Sequence, residues 1–245
     1  MRTRAVHIVI DAADPSRLAA FWATALGWEV VSDESDEAAV APAGFSYPGP
    51  AALPLVFVPV TDPKTGKNRV HLDLSTTSDE HQAAEVERLL ALGAARADIG
   101  QGDVPWEVLA DPEGNEFCVL DPRPEYLDAR PIAAVVIDSH DPAQIAPFWA
   151  AATGWEVHKS APDFASLRVP EGTGPYLEML RIPDAKTGKN PIHVDVAPKP
   201  GGDTQAEAGR LEEAGAVPID IGQGKVSWVV LADPEGNEFC VLTPR

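Results

Sequence analysis

Residues 110–120 read ADPEGNEFCVL, and residues 232–242 read the same eleven letters. The ninth place of each copy holds one of the chain's 2 cysteines, Cys118 and Cys240. Asp-Pro-Glu-Gly at 111–114 is a type I turn signature, with proline presetting φ and glycine closing the turn, and EFCVL reads as the strand that leaves it. Outward from this stretch the echo continues. KTGKN recurs at 64–68 and 186–190, IGQG at 99–102 and 221–224, and VHLDL at 70–74 is answered by IHVDV at 192–196, all at the 122-residue spacing that separates Asn115 from Asn237. Further upstream, VIDAADP at 9–15 with FW and GWEV returns as VIDSHDP at 136–142, now 127 residues on. The first copy therefore carries about five extra residues, expected near Ala43 to Pro50. A period this long is that of a domain and not of a solenoid unit. The reading is a first domain over 1–121, a proline- and charge-rich linker over 122–130 within DPRPEYLDARP, and a second domain over 131–245.

Within a copy, the secondary structure can be read twice. In AVHIVID, Val6, Ile8 and Ile10 alternate with His7, Val9 and Asp11, the period of a strand. Asp14 then caps a helix with Pro15 at its first position, and Leu18, Phe21, Trp22, Ala25 and Leu26 share one face before Gly27. Pro147 interrupts the equivalent helix of the second copy, predicting a kink or a late start. Short strands follow, ending with 53–60 and 175–182. RVHLDL opens a second cycle, whose helix over 79–92 stops at Gly93. Each copy is thus strand, helix, three strands, performed twice.

Composition narrows the functions. The 245 residues are 44% hydrophobic, which fits folded domains with their own cores, and 19 basic against 38 acidic residues give a net charge of −19. That charge repels phosphate backbones and anionic lipid, so neither nucleic acid nor a membrane is an expected partner. The apolar run from Ala5 to Ile10 is too short for a signal or spanning segment, and two cysteines make no disulfide framework; the expected location is the cytoplasm. The expected assembly is a monomer of two domains or a homodimer.

The order of elements, together with FW, GWEV, KNRVHLDL and DPEGNEFCVL, resembles the vicinal oxygen chelate superfamily of glyoxalase I, bleomycin-resistance proteins and extradiol dioxygenases, and its glyoxalase-like branch most of all. The resemblance implies an α+β fold of tandem glyoxalase-like domains, each of two βαβββ modules whose mixed sheet curls around a cavity. It also implies a divalent metal held by His or Glu on the first and last strands of modules. Carried over, those positions are His7 and Ala134, Val56 and Glu178, His71 and His193, and Cys118 and Cys240. Pairing within domains groups His7, Val56, His71 and Cys118 against Ala134, Glu178, His193 and Cys240. Pairing between domains groups His7, Val56, His193 and Cys240 against Ala134, Glu178, His71 and Cys118. Neither grouping retains four donors, so the expectation is no catalytic metal; if Zn, Fe, Ni or Mn binds, its ligands come from His7, His71, Cys118, Glu178, His193 and Cys240.

His71 and His193 each have an aspartate two residues on, Asp73 and Asp195, hence on the same sheet face. They read either as cavity anchors or as hydrogen-bonded pairs that hold a hairpin. Trp106 and Trp228 fall on matching strands where they can line a cavity, while Trp22, Trp149, Trp28 and Trp155 read as core. The ligand-binding candidates are therefore His7, His71, Asp73, Trp106, Cys118, Glu178, His193, Asp195, Trp228 and Cys240. The expected function is binding of a small apolar or aromatic molecule in a sheet-lined cavity without a catalytic metal. The alternative is an enzyme of the same superfamily, a metal-dependent glyoxalase or dioxygenase, or a metal-free lyase or isomerase using His71 or His193.

Overall fold

The computed structural model describes residues 3–47, 49, 52–61 and 64–245. Four βαβββ modules follow one another. The first runs β1 (Thr3–Ala12), α1 (Pro15–Leu26), β2 (Glu29–Asp33), β3 (Ala38–Ala41), β4 (Leu55–Pro59), and the second β5 (Val70–Leu74), α2 (Asp79–Leu92), β6 (Ala95–Arg96), β7 (Glu107–Ala110), β8 (Glu116–Val119). The third comprises β9 (Ile132–Ser139), α3 (Pro142–Thr153), β10 (Glu156–Ala161), β11 (Phe164–Arg168), β12 (Tyr176–Arg181), and the fourth β13 (Ile192–Pro198), α4 (Thr204–Glu213), β14 (Val217–Pro218), β15 (Val229–Ala232), β16 (Glu238–Val241). Among the described residues no helix is long and apolar enough to cross a membrane.

The strands form two eight-stranded mixed sheets, and the sheets do not follow the repeats. One, here the terminal sheet, has the order β14-β15-β16-β13-β1-β4-β3-β2; the other, the central sheet, has β10-β11-β12-β9-β5-β8-β7-β6. Modules one and four meet through antiparallel β1 and β13, and modules two and three through antiparallel β5 and β9. Of the two groupings left open by the sequence, the structure has the one between repeats.

The faces divide as alternation requires. Val70, Leu72, Leu74, Phe117 and Val119 join Ile192, Val194, Val196, Phe239, Val241 and the apolar faces of the helices in one core that serves both sheets. Cys118 and Leu120 belong to a separate cluster on the opposite face of the central sheet, and Cys240 and Leu242 to another on the terminal sheet. α1 has the expected Asp14 cap, which accepts from Arg17 N at 3.1 Å, and a left-handed Gly27 at its end. α3 starts at Pro142 and continues through Pro147, so its start is not late. Pro147 and Ala143 are both exposed, and the carbonyl that proline leaves unpaired can be met by water. The first repeat's longer connection is residues 42–54 against 169–175 in the second. Of the stretch 43–50 expected to carry the extra residues, Pro48 and Pro50 lie outside the described residues.

Candidate functional site

The duplicated DPEGN stretch is a structural joint. Asp111 Oδ1 accepts from Glu113 N at 2.9 Å and Asn115 N at 3.0 Å, while Oδ2 accepts from the buried Trp22 indole at 3.2 Å. The Glu113 carboxylate takes Ala13 N at 2.6 Å and Asp14 N at 2.8 Å, ahead of α1, and Glu116 takes Lys64 Nζ at 2.8 Å and Asn68 N at 3.1 Å. FW, DPEGNE and KTGKN are thus one network that ties the helix of one module to the turn of the next. The second repeat builds it again, with Trp149 donating to Asp233 at 3.1 Å and Lys186 to Glu238 at 2.6 Å.

The strand that leaves this joint delivers the chemistry. Register places Cys240 beside Asp195 and Asp195 opposite His7 in the terminal sheet, and Cys118 beside Asp73 and Asp73 opposite Ala134 in the central sheet. Two pairs further along, on the same face, lie His193, Val9 and Val56 in the first, and His71, Val136 and Glu178 in the second.

In the terminal sheet His7 Nε2 donates to Asp195 Oδ2 at 2.8 Å, and its Nδ1 lies 3.4 Å from the Tyr47 hydroxyl. His193 Nε2 is 3.3 Å from Asp195 Oδ1 and 3.6 Å from Cys240 Sγ. Burial opposes ionisation of Asp195, but hydrogen bonds from His193 and His7 overcome it and hold the carboxyl below the usual range. Burial, reinforced by the Asp195 charge, pushes the Cys240 thiol up, so the thiol is inert toward solvent nucleophilic chemistry. His193 Nδ1 is buried without a hydrogen-bond partner.

The central sheet keeps the same triplet in different company. His71 Nε2 stands 3.4 Å from Asp73 Oδ1, and both side chains are largely buried. Burial and the Asp73 charge raise the Cys118 thiol. Where the terminal sheet has Val56 this one has Glu178, whose carboxyl burial and Asp73 push up to about 7. The linker covers this face: Tyr126, in a short 3-10 turn at Pro124–Tyr126, donates its hydroxyl to Glu178 at 3.0 Å and packs edge-on against Tyr176. Ala129 is buried in the same cluster with Ala134 and Cys118. Trp106 packs against that cluster under the Arg123 guanidinium, 5.7 Å from its centroid. Trp228, at 39% exposure, stands just before β15.

Beside the terminal-sheet array lies a cavity of about 340 Å³, bounded among others by Arg4, Val6, Tyr47, Leu53, Trp155 and Lys199. Tyr47 thus forms cavity wall and His7 partner at once. A larger cleft of about 930 Å³ lies where the two KTGKN turns meet, but its lysines are already paired, Lys67 with Asp138 at 2.6 Å and Lys64 and Lys186 as above. The sequence reading missed Tyr47 and Tyr126. A signal was present: of the chain's 3 tyrosines, these two sit in the inserted loop and the linker, segments without a counterpart in the other repeat.

The metal centre implied by the resemblance does not fit these residues. In the terminal sheet Val56 offers no donor, and His7 Nε2 is committed to Asp195; in the central sheet Ala134 offers none, and Glu178 binds Tyr126. Among the described residues the clusters of converging donor atoms are instead His71, Asp73, Cys118 and His193, Asp195, Cys240.

A model of the family described as "Glyoxalase-like domain" matches residues 7–120 and again 134–242. No curated protein matches the sequence. Among solved structures, glyoxalase I from Zea mays aligns over 98% of this chain and 92% of its own at 14% identity and a TM-score of 0.62. A glyoxalase/bleomycin resistance protein/dioxygenase family enzyme from Burkholderia phytofirmans PsJN aligns over 47% of this chain and 96% of its own, at 15% identity and a TM-score of 0.36.

Proposed function

Starting from the membership of this chain in the glyoxalase-like domain family, we propose that it binds a small apolar or aromatic molecule at the terminal sheet, with the His7, Asp195 and His193 side chains as polar anchors. The observation that carries this reading is the cavity of about 340 Å³ whose Tyr47 wall reaches His7. Its volume falls within the range of small-molecule sites, and its mixture of apolar walls with a few converging polar groups is their usual makeup. The buried, unpartnered Nδ1 of His193 adds a group that a ligand can satisfy. The central sheet is the weaker candidate, because Tyr126 and Ala129 already cover its face.

Titration with a panel of planar aromatic compounds, followed by tryptophan fluorescence through the wall residue Trp155 and by calorimetry, tests the proposal. Saturable binding should weaken by about 1–3 kcal/mol in His7→Ala, which leaves a buried partner unpaired, and stay unchanged in His71→Ala. Binding that is equally sensitive to both variants, or none across the panel, defeats it.

A second reading, a metal-free lyase or isomerase, is favoured by the 2.8 Å His7–Asp195 hydrogen bond. A carboxylate on Nε2 orients the ring and leaves Nδ1 to exchange a proton toward Tyr47, the arrangement of a positioned general base. Turnover of a bound compound, lost in His7→Ala with binding retained in His7→Gln, separates this reading from simple binding.

A further inference from the structure

The wall of the cavity beside the terminal-sheet array carries two cations, Arg4 and Lys199, against one carboxylate, Glu171. In a chain of net charge −19, positive charge gathered at a cavity needs a reason. Most lysines and arginines are held by a neighbouring carboxylate, as Lys67 is by Asp138 and Arg168 by Asp128. Among the described residues Arg4 and Lys199 pair with no Asp or Glu side chain. Arg4 donates through Nη2 to the main-chain oxygen of Arg245, and its Nε is buried without a hydrogen-bond partner.

The backbone of β1 brings Arg4 to the face of His7. Residues three apart on a regular strand point to opposite faces. In β1 the register against β13 shifts between Ala5 and His7, so that Arg4 stands opposite Ala197 and His7 opposite Asp195. Ala197 and Asp195 are two apart on β13 and share a face, and the bulge therefore puts Arg4 and His7 on one face as well. Ala197 clusters with Cys240, as that face requires. Lys199 follows β13 directly, at the same end of the strand pair. Positive charge also acts on Tyr47. Burial raises its hydroxyl above the ordinary value and the Asp195 and Glu37 charges add to the rise, while the Arg245 and Arg4 charges oppose it. Tyr47 joins the cavity wall to His7, so the cations act at the seam between the two.

We propose that the terminal-sheet site selects an anionic ligand, an aromatic acid whose carboxylate is held by Arg4 and Lys199 while its ring lies against Trp155 and Leu53. The inference rests on the small-molecule reading above and adds the ligand's charge to it. A guanidinium presents a planar fork of donors that matches a carboxylate, and the ammonium adds charge without fixed direction. Half-burial of Arg4 makes the attraction stronger than that of a surface pair.

Calorimetry with a matched set, naphthoate, its neutral amide and the cationic naphthylmethylammonium, separates charge from ring. The acid should bind about ten- to a hundredfold more tightly than the amide, the range of one hydrogen bond to a charged group, and the ammonium more weakly than either. The preference for the acid should shrink as NaCl rises, with amide binding unchanged. Arg4→Met should remove most of the preference and leave the amide's affinity at the parent value, which also shows that the variant is folded. Lys199→Met, at an exposed position, should reduce the preference severalfold. Amide binding equal to acid binding, and sensitive to His7→Ala, overturns the charge class and leaves the small-molecule reading standing. A preference that survives both substitutions overturns the assignment to Arg4 and Lys199. Absence of binding by all three compounds overturns the proposal together with the reading on which it rests.

Discussion

Glu178 is a carboxyl that folding places where its charge is unwelcome, and this makes it a sensitive reporter of the central sheet. It is 5% exposed, and burial followed by the Asp73 charge carries it from its ordinary 4.5 to about 7, against the opposing Tyr126 hydrogen bond and Arg123 charge. Between those two values the native state holds a proton that the unfolded chain has released, so stability falls as pH rises. The contribution is fully present below about 4.5 and lost as pH passes through about 7. At 1.36 kcal/mol for each pH unit, the loss amounts to roughly 3 kcal/mol, and near-complete burial leaves little solvent screening to reduce it. Glu178→Gln keeps the neutral shape and removes the titration. Urea denaturation of both proteins from pH 4.5 to 8 measures the difference. The glutamine variant should gain about 3 kcal/mol on the parent across that range. A difference that stays flat, or one that moves toward glutamate as pH rises, refutes the reasoning, since the latter requires a cation holding Glu178 ionised.

Three further outcomes follow from the packing. Tyr126→Phe removes the hydrogen bond that favours ionised Glu178, so the Glu178 carboxyl should titrate higher still, as read by carboxyl NMR. Asp111→Ala strips the acceptor from the turn amides and from the buried Trp22 indole, and should cost about 3–5 kcal/mol in equilibrium unfolding; a cost below 1 kcal/mol would show that the joint is dispensable. Gly27 and Gly154 close equivalent helices with φ of 65° and 74°, but a Cβ meets nothing within 4 Å at the first and Thr3 O at 3.0 Å at the second. Gly27→Ala should therefore cost about 1 kcal/mol from conformation alone and Gly154→Ala distinctly more, and equal melting temperatures for the two would contradict that.

Much of this fold was legible because the chain states it twice. The alternation of Val70, Leu72 and Leu74 with His71 and Asp73 fixes which face meets the helices, since a strand has only two faces, and the structure divides the residues that way. The pairing of modules was not legible. β1 can meet β5 or β13 with the same local pattern, and the choice rests on contacts between segments far apart in sequence. The linker shows a different limit: proline and charge without periodicity mark 121–131 as a connection, and nothing local says that Tyr126 will turn back onto Glu178. Likewise the sequence places Asp195 on the face of His193, but the hydrogen bond from His7 depends on the register of β1 against β13.

That exchange of modules between repeats explains how one duplication yields two unlike faces. The His-x-Asp and Cys triplet comes from modules two and four, where both repeats keep the His-x-Asp pair and the ADPEGNEFCVL stretch, so both sheets carry it. Its surroundings come from modules one and three, where the repeats have diverged to His7 against Ala134 and Val56 against Glu178. Because module one meets module four, the terminal sheet combines its triplet with a second imidazole and with Tyr47 of the longer loop, beside a cavity. Module three brings the central sheet a buried carboxyl, and the linker seals it with Tyr126. Pairing within repeats would have put His7 with His71 and Glu178 with His193. Divergence at these positions of modules one and three has therefore left the array of one sheet beside a cavity, while in the other the chain's own linker fills the same place.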